Sequence, residues 1–168
     1  MYTFRFFLIL ILVGSVKIPL KAQEDKYAQN SLFLELFGNG GLYSVNYERN
    51  LNKNLYARIG FGTWTTTTFI SSEETSITTF PLLLAGTTGK KKSHFEFGGG
   101  VLAGSLKNDT GSNTIFDLTA FIGYRYQPIG QGFLFRAGLT PFYSIDDKAY
   151  YPDEGFYFSG GLSVGYHF

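Results

Sequence analysis

The sequence predicts an all-β fold: an eight-stranded antiparallel up-and-down transmembrane β-barrel, preceded by a cleavable signal peptide. Three observations lead there. Apolar and small or polar residues alternate with a period of two over most of the chain, in eight segments of about ten residues, the length of a tilted strand crossing a bilayer. Aromatic residues make up 18% of the 168 residues against 16% charged, with Gly 21, Phe 18 and Tyr 12, a composition that excludes disorder. The chain also contains no Cys, which excludes disulfide scaffolds, thiolate zinc sites, thiol catalysis and lipid attachment at an N-terminal Cys.

The first element is a targeting segment. Met1–Arg5 ends in a positive charge, Phe6–Val16 is an uncharged run of 11 residues, and Lys17–Ala22 leads into Gln23-Glu24-Asp25-Lys26. This is the order of a secretory signal, and the run is too short to span a bilayer. Cleavage is expected after Ala22, giving a signal peptide over 1–22 and a barrel domain over 23–168. Removing Arg5, Lys17 and Lys21 turns 14 basic and 13 acidic side chains into 11 and 13, net −2 over 146 residues. Such a chain carries no basic footprint for nucleic acid. Leu82–Ala85 is its longest purely aliphatic stretch, so no second helical span is expected.

The strands follow in order. Leu32, Leu34 and Leu36 alternate with Phe33 and Glu35; Tyr43, Val45 and Tyr47 with Ser44, Asn46 and Glu48; Leu55, Ala57, Ile59 and Phe61 with Tyr56, Arg58 and Gly60. A fourth strand runs near Ile77–Gly86, interrupted by Pro81, which cannot donate a ladder hydrogen bond. Phe95, Phe97 and Val101 alternate with Glu96 and Gly98; Phe116 to Tyr124 with Asp117 to Arg125; Phe133 to Leu139 with Leu134 to Thr140; Phe158 to Phe168 with Ser159 to His167. The first link, Gly38–Gly41, reads as a tight turn. Short links at Asn50–Asn54, Thr87–Lys92 and Gln127–Gln131 face longer ones at Thr65–Ser76, Gly104–Thr114 and Tyr143–Gly155. Short turns on one side and long loops on the other place both termini in the periplasm.

Seven strand charges, Glu35, Glu48, Arg58, Glu96, Asp117, Arg125 and Arg136, fall on the face opposite the aliphatic set. Arg or Lys at mid-depth on a lipid face costs about 2–4 kcal/mol, so these charges belong in the lumen. Gly, Ser and Thr on the same face leave room for them and for Tyr56, Trp64 and Phe121. An internal ion-pair network that fills the barrel is the expected arrangement; a gate opened by exchange of ion-pair partners is the functional alternative.

The C-terminal Leu162, Val164, Tyr166 and Phe168 resemble the signal by which the barrel-assembly machinery recognises its clients. Together with the signal segment followed by Gln23, with Asn46-Tyr47-Glu48-Arg49 and with Phe95-Glu96-Phe97-Gly98, they make the chain similar to small outer-membrane barrels, the OmpA- and OmpX-like proteins and the "porin family" of Bacteroidota. The resemblance covers the whole mature chain. It implies residence in the outer membrane of a Gram-negative bacterium among its lipids, but no shared activity. No separate periplasmic domain, and hence no peptidoglycan tether, is expected.

A search for chemistry returns little. Lipid A deacylases of this fold use a His, a Ser two residues later and a Glu; here His94 precedes Phe95-Glu96 and His167 precedes Phe168. Gly62-Thr63-Trp64 matches the short lipocalin signature, but at the end of the third strand. The acidic stretch Asp146–Glu154 could hold Ca²⁺ or bridge lipopolysaccharide, without EF-hand spacing, and reads as a solvated loop. Lys90-Lys91-Lys92 reads as a solvated periplasmic turn. The expectation is therefore a non-enzymatic barrel with no cofactor and no metal, either alone or as an accessory subunit of a larger outer-membrane complex. A lipid-modifying enzyme, or a narrow pore or carrier for small apolar molecules, are the alternatives.

Overall fold

The computed structural model describes residues 28–67, 74–145 and 155–168. The signal segment 1–22 and the acidic stretch Asp146–Glu154 lie outside them. Eight strands form one closed antiparallel barrel in chain order: β1 (Asn30–Leu36), β2 (Tyr43–Asn52), β3 (Leu55–Thr67), β4 (Glu74–Lys90), β5 (Ser93–Asn108), β6 (Gly111–Tyr126), β7 (Gly132–Ser144) and β8 (Gly155–His167). The seam is β1 against β8, paired from Ser31↔His167 to Leu36↔Leu162. Closure leaves no sheet edge unpaired around the belt, which is how a strand protein satisfies its backbone in hydrocarbon. Both ends of the described chain meet at one rim, where Phe168 O accepts from Asn30 N at 2.8 Å and Phe168 N donates to Asn30 O at 2.7 Å.

The period of two sorts the side chains. Outward positions carry Leu, Ile, Val and aromatic residues in every strand, most of them 37–74% exposed. Inward positions are buried or half-buried over most of the barrel and open towards the rim away from the termini, as at Thr66 and Asn113. Tyr47, Phe95, Tyr124, Phe133 and Tyr166 ring the outer wall near the terminal rim, and Tyr43, Phe80, Phe116, Tyr143 and Phe156 ring it towards the other. From Phe116 to Tyr124 along β6 is about 27 Å of strand. Tilted by about 40°, that is roughly 20 Å of height, close to the ~25 Å apolar band of membrane barrels.

The strands depart from the sequence reading at their ends. The link expected at Gly104–Thr114 is not a loop: β5 and β6 stay paired up to Asn108↔Gly111, leaving only Asp109-Thr110 as a turn. Asn108 Oδ1 accepts from the backbone N of Thr110 at 3.2 Å and of Gly111 at 2.9 Å, an Asx turn. The outward residues here, Ser105, Lys107, Ser112 and Thr114, are polar because the hairpin has passed the apolar band, and polarity alone reads as loop. The Thr87–Lys92 link likewise shrinks to Lys91-Lys92, with Lys90↔Ser93 still paired. Strand β4 is the longest of the eight despite Pro81. Its ladder to β3 is interrupted between Ile59↔Leu82 and Gly62↔Thr79, which spares Pro81 the hydrogen bond it cannot donate. Gly60 opposite makes room, since a Cβ there would sit 2.7 Å from Pro81 Cγ.

Candidate functional site

Six of the seven strand charges meet in the half of the lumen nearer the termini. Glu35, Glu48, Glu96, Arg58, Arg125 and Arg136 have fully buried side chains, three acids against three bases. Glu96 of β5 is the hub. Its Oε1 accepts from Arg136 Nη2 at 2.7 Å and Arg58 Nη2 at 2.9 Å; its Oε2 accepts from Arg136 Nε at 2.8 Å and Arg125 Nη1 at 3.4 Å. Arg125 also donates from Nη2 to Glu48 Oε1 at 2.5 Å. Arg136 Nη1 donates to Glu35 Oε1 at 3.3 Å. Arg58 touches all three acids, with Glu35 at 3.6 Å and Glu48 at 3.7 Å.

Asp117 is buried on the same face, in register with Ser144. It stands eight residues up β6 from Arg125, about 27 Å of strand away, and takes no part in this cluster. The central charges therefore balance without it.

Aromatic rings line the guanidinium groups. The Arg136 guanidinium lies 4.3 Å from the Phe121 ring centre and 5.0 Å from that of Phe33, and Arg125 lies 4.5 Å from Tyr56. These ring faces attract cations. At the terminal rim a polar chain ties the cluster to the seam. Arg125 Nε donates to Gln127 Oε1, Gln127 Nε2 donates to His167 Nε2, and His167 Nδ1–H is left to donate to Ser31 Oγ at 2.9 Å. The amide orientation fixes the His tautomer. Strands β1, β2, β6 and β8 are thus joined through side chains as well as backbone.

The turn expected at Gly38–Gly41 is present, with Gly41 N donating to Gly38 O at 3.0 Å. It does not project outward. It folds into the lumen and caps the ionic cluster. Asn39 is fully buried; its Nδ2 donates to Thr119 Oγ1 at 2.7 Å and Ala120 O at 2.9 Å, and its Oδ1 accepts from Arg58 Nη1 at 3.4 Å. Thr79 donates to Gly40 O at 2.7 Å, and Ser159 donates to Phe37 O at 2.5 Å. Walls β4, β6 and β8 all hold the turn. Glycine is needed here for close approach: a Cβ on Gly38 would lie 2.2 Å from Glu35 Cδ, and Gly41 combines φ +93° with the Trp64 ring at 2.3 Å. Asn39→Ala should lower the unfolding free energy by about 1–3 kcal/mol, the cost of stranding buried polar partners. Urea unfolding of the protein refolded in detergent measures this, and an unchanged midpoint would mean the turn is not seated in the lumen.

The other candidates resolve differently. Both Glu96 oxygens are occupied by arginines, so Glu96 does not orient His94 as a base. Gly62 and Trp64 of the lipocalin-like triplet face inward on β3, where Trp64 packs over Gly41. On β8, Leu162, Val164 and Tyr166 point outward, about half exposed, with Phe168 beside them at the rim. Among the described residues no cluster of three or more His, Asp or Glu side chains is arranged to hold a metal.

No family model matches the chain, and no curated protein matches it. Solved structures do. The N-terminal β-barrel domain of Pseudomonas aeruginosa OprF aligns over 84% of this chain and 99% of its own, with TM-score 0.56 and 17% identity. Ail, the attachment invasion locus protein of Yersinia pestis, solved with the heparin analogue sucrose octasulfate, aligns over the same shares with TM-score 0.47 and 13% identity. The OprF likeness shows the fold. This is a closed eight-stranded antiparallel barrel of the kind found in outer-membrane proteins.

Proposed function

We propose that the chain is an integral outer-membrane β-barrel protein with a filled lumen, non-enzymatic, serving a structural or accessory role, with both termini on the periplasmic side. The observation that carries this reading is the outer wall. A continuous belt of Leu, Ile, Val, Phe and Tyr encircles the closed barrel between two aromatic rings, and no aqueous protein tolerates an exposed apolar surface of that extent. The described charges at outward strand positions, Arg49, Glu74 and Lys107, stand towards strand ends. The central lumen is taken up by ion pairs and by the β1–β2 turn, which supports a plugged barrel. Its partners are then outer-membrane lipids, the barrel-assembly machinery through Leu162, Val164, Tyr166 and Phe168, and a larger outer-membrane protein if it is an accessory subunit.

The test is expression with its own leader in a Gram-negative host. The protein should sediment with outer membranes, migrate differently in SDS gels before and after heating, and give no conductance above background in planar bilayers. A protein that stays in the supernatant would overturn the membrane assignment. Steady conductance would overturn the filled lumen, and ester hydrolysis of phospholipid or lipid A would overturn the non-enzymatic role.

A further inference from the structure

Beyond the plug the lumen changes character. Trp64, Ile77, Leu102, Ile115 and Phe142, from five different strands, line a cavity of about 370 Å³ at the rim away from the termini. We propose that this cavity is a binding site for a neutral, mainly hydrocarbon small molecule, such as a fused-ring aromatic.

Four observations converge on that occupant. The volume lies within the range of small-molecule sites, about 300–1,000 Å³. Among the described residues lining it none is charged, so an ionic ligand would gain no ion pair from them on being desolvated. Two of its polar liners are committed elsewhere: the Thr79 and Ser159 hydroxyls donate to the turn carbonyls Gly40 O and Phe37 O. What remains is an aromatic and aliphatic wall, with Thr65 and Thr66 as the other polar liners; Ile77, Leu102, Ile115 and Phe142 are each at most 5% exposed and so already packed in place. The floor is the β1–β2 turn, Gly38 and Gly41, with the ionic cluster beneath it. Among the described residues the site is closed on the side of the termini, which makes this a receptor pocket and not a passage. The inference rests on the barrel geometry and not on the absence of catalysis.

Trp64 is the sole tryptophan of the chain, so its emission reports on this cavity alone. The protein is placed in phosphatidylcholine nanodiscs and titrated with N-phenyl-1-naphthylamine, a neutral probe that accepts energy from tryptophan, with empty discs subtracted. The expected result is saturable transfer at one probe per chain. Ile115→Asp, which puts a charge in the wall, should weaken binding by about tenfold or more. Ile115→Phe, which fills the space without a charge, should weaken it too and keeps the test open if the Asp variant does not fold. Outward Leu118→Ala should leave it unchanged. Transfer that rises linearly with probe, or saturation unaltered in the Ile115 variants that fold, would overturn the proposal. Heat-modifiable mobility checks folding separately, so loss of the pocket and loss of the barrel are distinguishable.

Discussion

Glu96→Gln is expected to destabilise the barrel by about 3–5 kcal/mol, the cost of breaking a buried ion pair from one side. Three arginines share this carboxylate, at 2.7, 2.9 and 3.4 Å for their closest contacts. Neutralising it leaves three buried guanidinium groups against two acids. Glu35→Gln should cost less, because Glu35 is reached only at 3.3 Å by Arg136 and 3.6 Å by Arg58. A double replacement of Glu96 and Arg136 by Leu should recover part of the loss, since removing both partners leaves no orphan charge. Urea unfolding in lipid vesicles, followed by heat-modifiable mobility, ranks the variants. Equal effects of Glu96→Gln and Glu35→Gln would dismantle the hub arrangement.

Leu82→Arg is expected to cost about 2–4 kcal/mol in a bilayer, the penalty for a cation at mid-depth on the lipid face. Leu82 is 44% exposed on β4, flanked in register by Ile59 and Val101. Thr78→Arg lies on the same strand and face, two outward positions further along, next to Thr63 and Ser105. There the change should stay within about 0.5 kcal/mol, as for an ordinary surface position. The contrast separates a membrane belt from a merely sticky surface. If both variants unfolded at the same urea concentration in lipid vesicles, the wall would not be facing hydrocarbon.

Strand number, facing and antiparallel order were legible because alternation is a local property. Each Glu and Arg of the cluster could be assigned to the inner face from its two neighbours alone. Strand ends were less legible. Ser105, Lys107, Ser112 and Thr114 look like loop residues, although backbone pairing continues through them, because a strand that runs past the apolar belt no longer needs apolar side chains. Asn39, Gln127, His167 and Ser31 carried only a weak signal. They lie on the inward alternation or in a link, and nothing in their spacing announces a partner. In sequence, Pro81 reads as an obstacle to β4. The gap in the ladder opposite Gly60 is a long-range feature that no window of sequence contains.

By itself, then, the sequence determined a closed barrel with an apolar outside and a charged inside, since a period of two and the cost of charge in hydrocarbon act strand by strand. Only the tertiary structure decided which acid meets which base, because Glu96 reaches Arg136 and Arg125 reaches Glu48 between strands 40 and 77 residues apart. It also decided that the β1–β2 turn folds inward. A turn sequence such as Gly38-Asn39-Gly40-Gly41 fixes how tightly the chain reverses. Whether it turns in or out depends on Thr119, Thr79 and Ser159 waiting on walls that only closure of the barrel brings together.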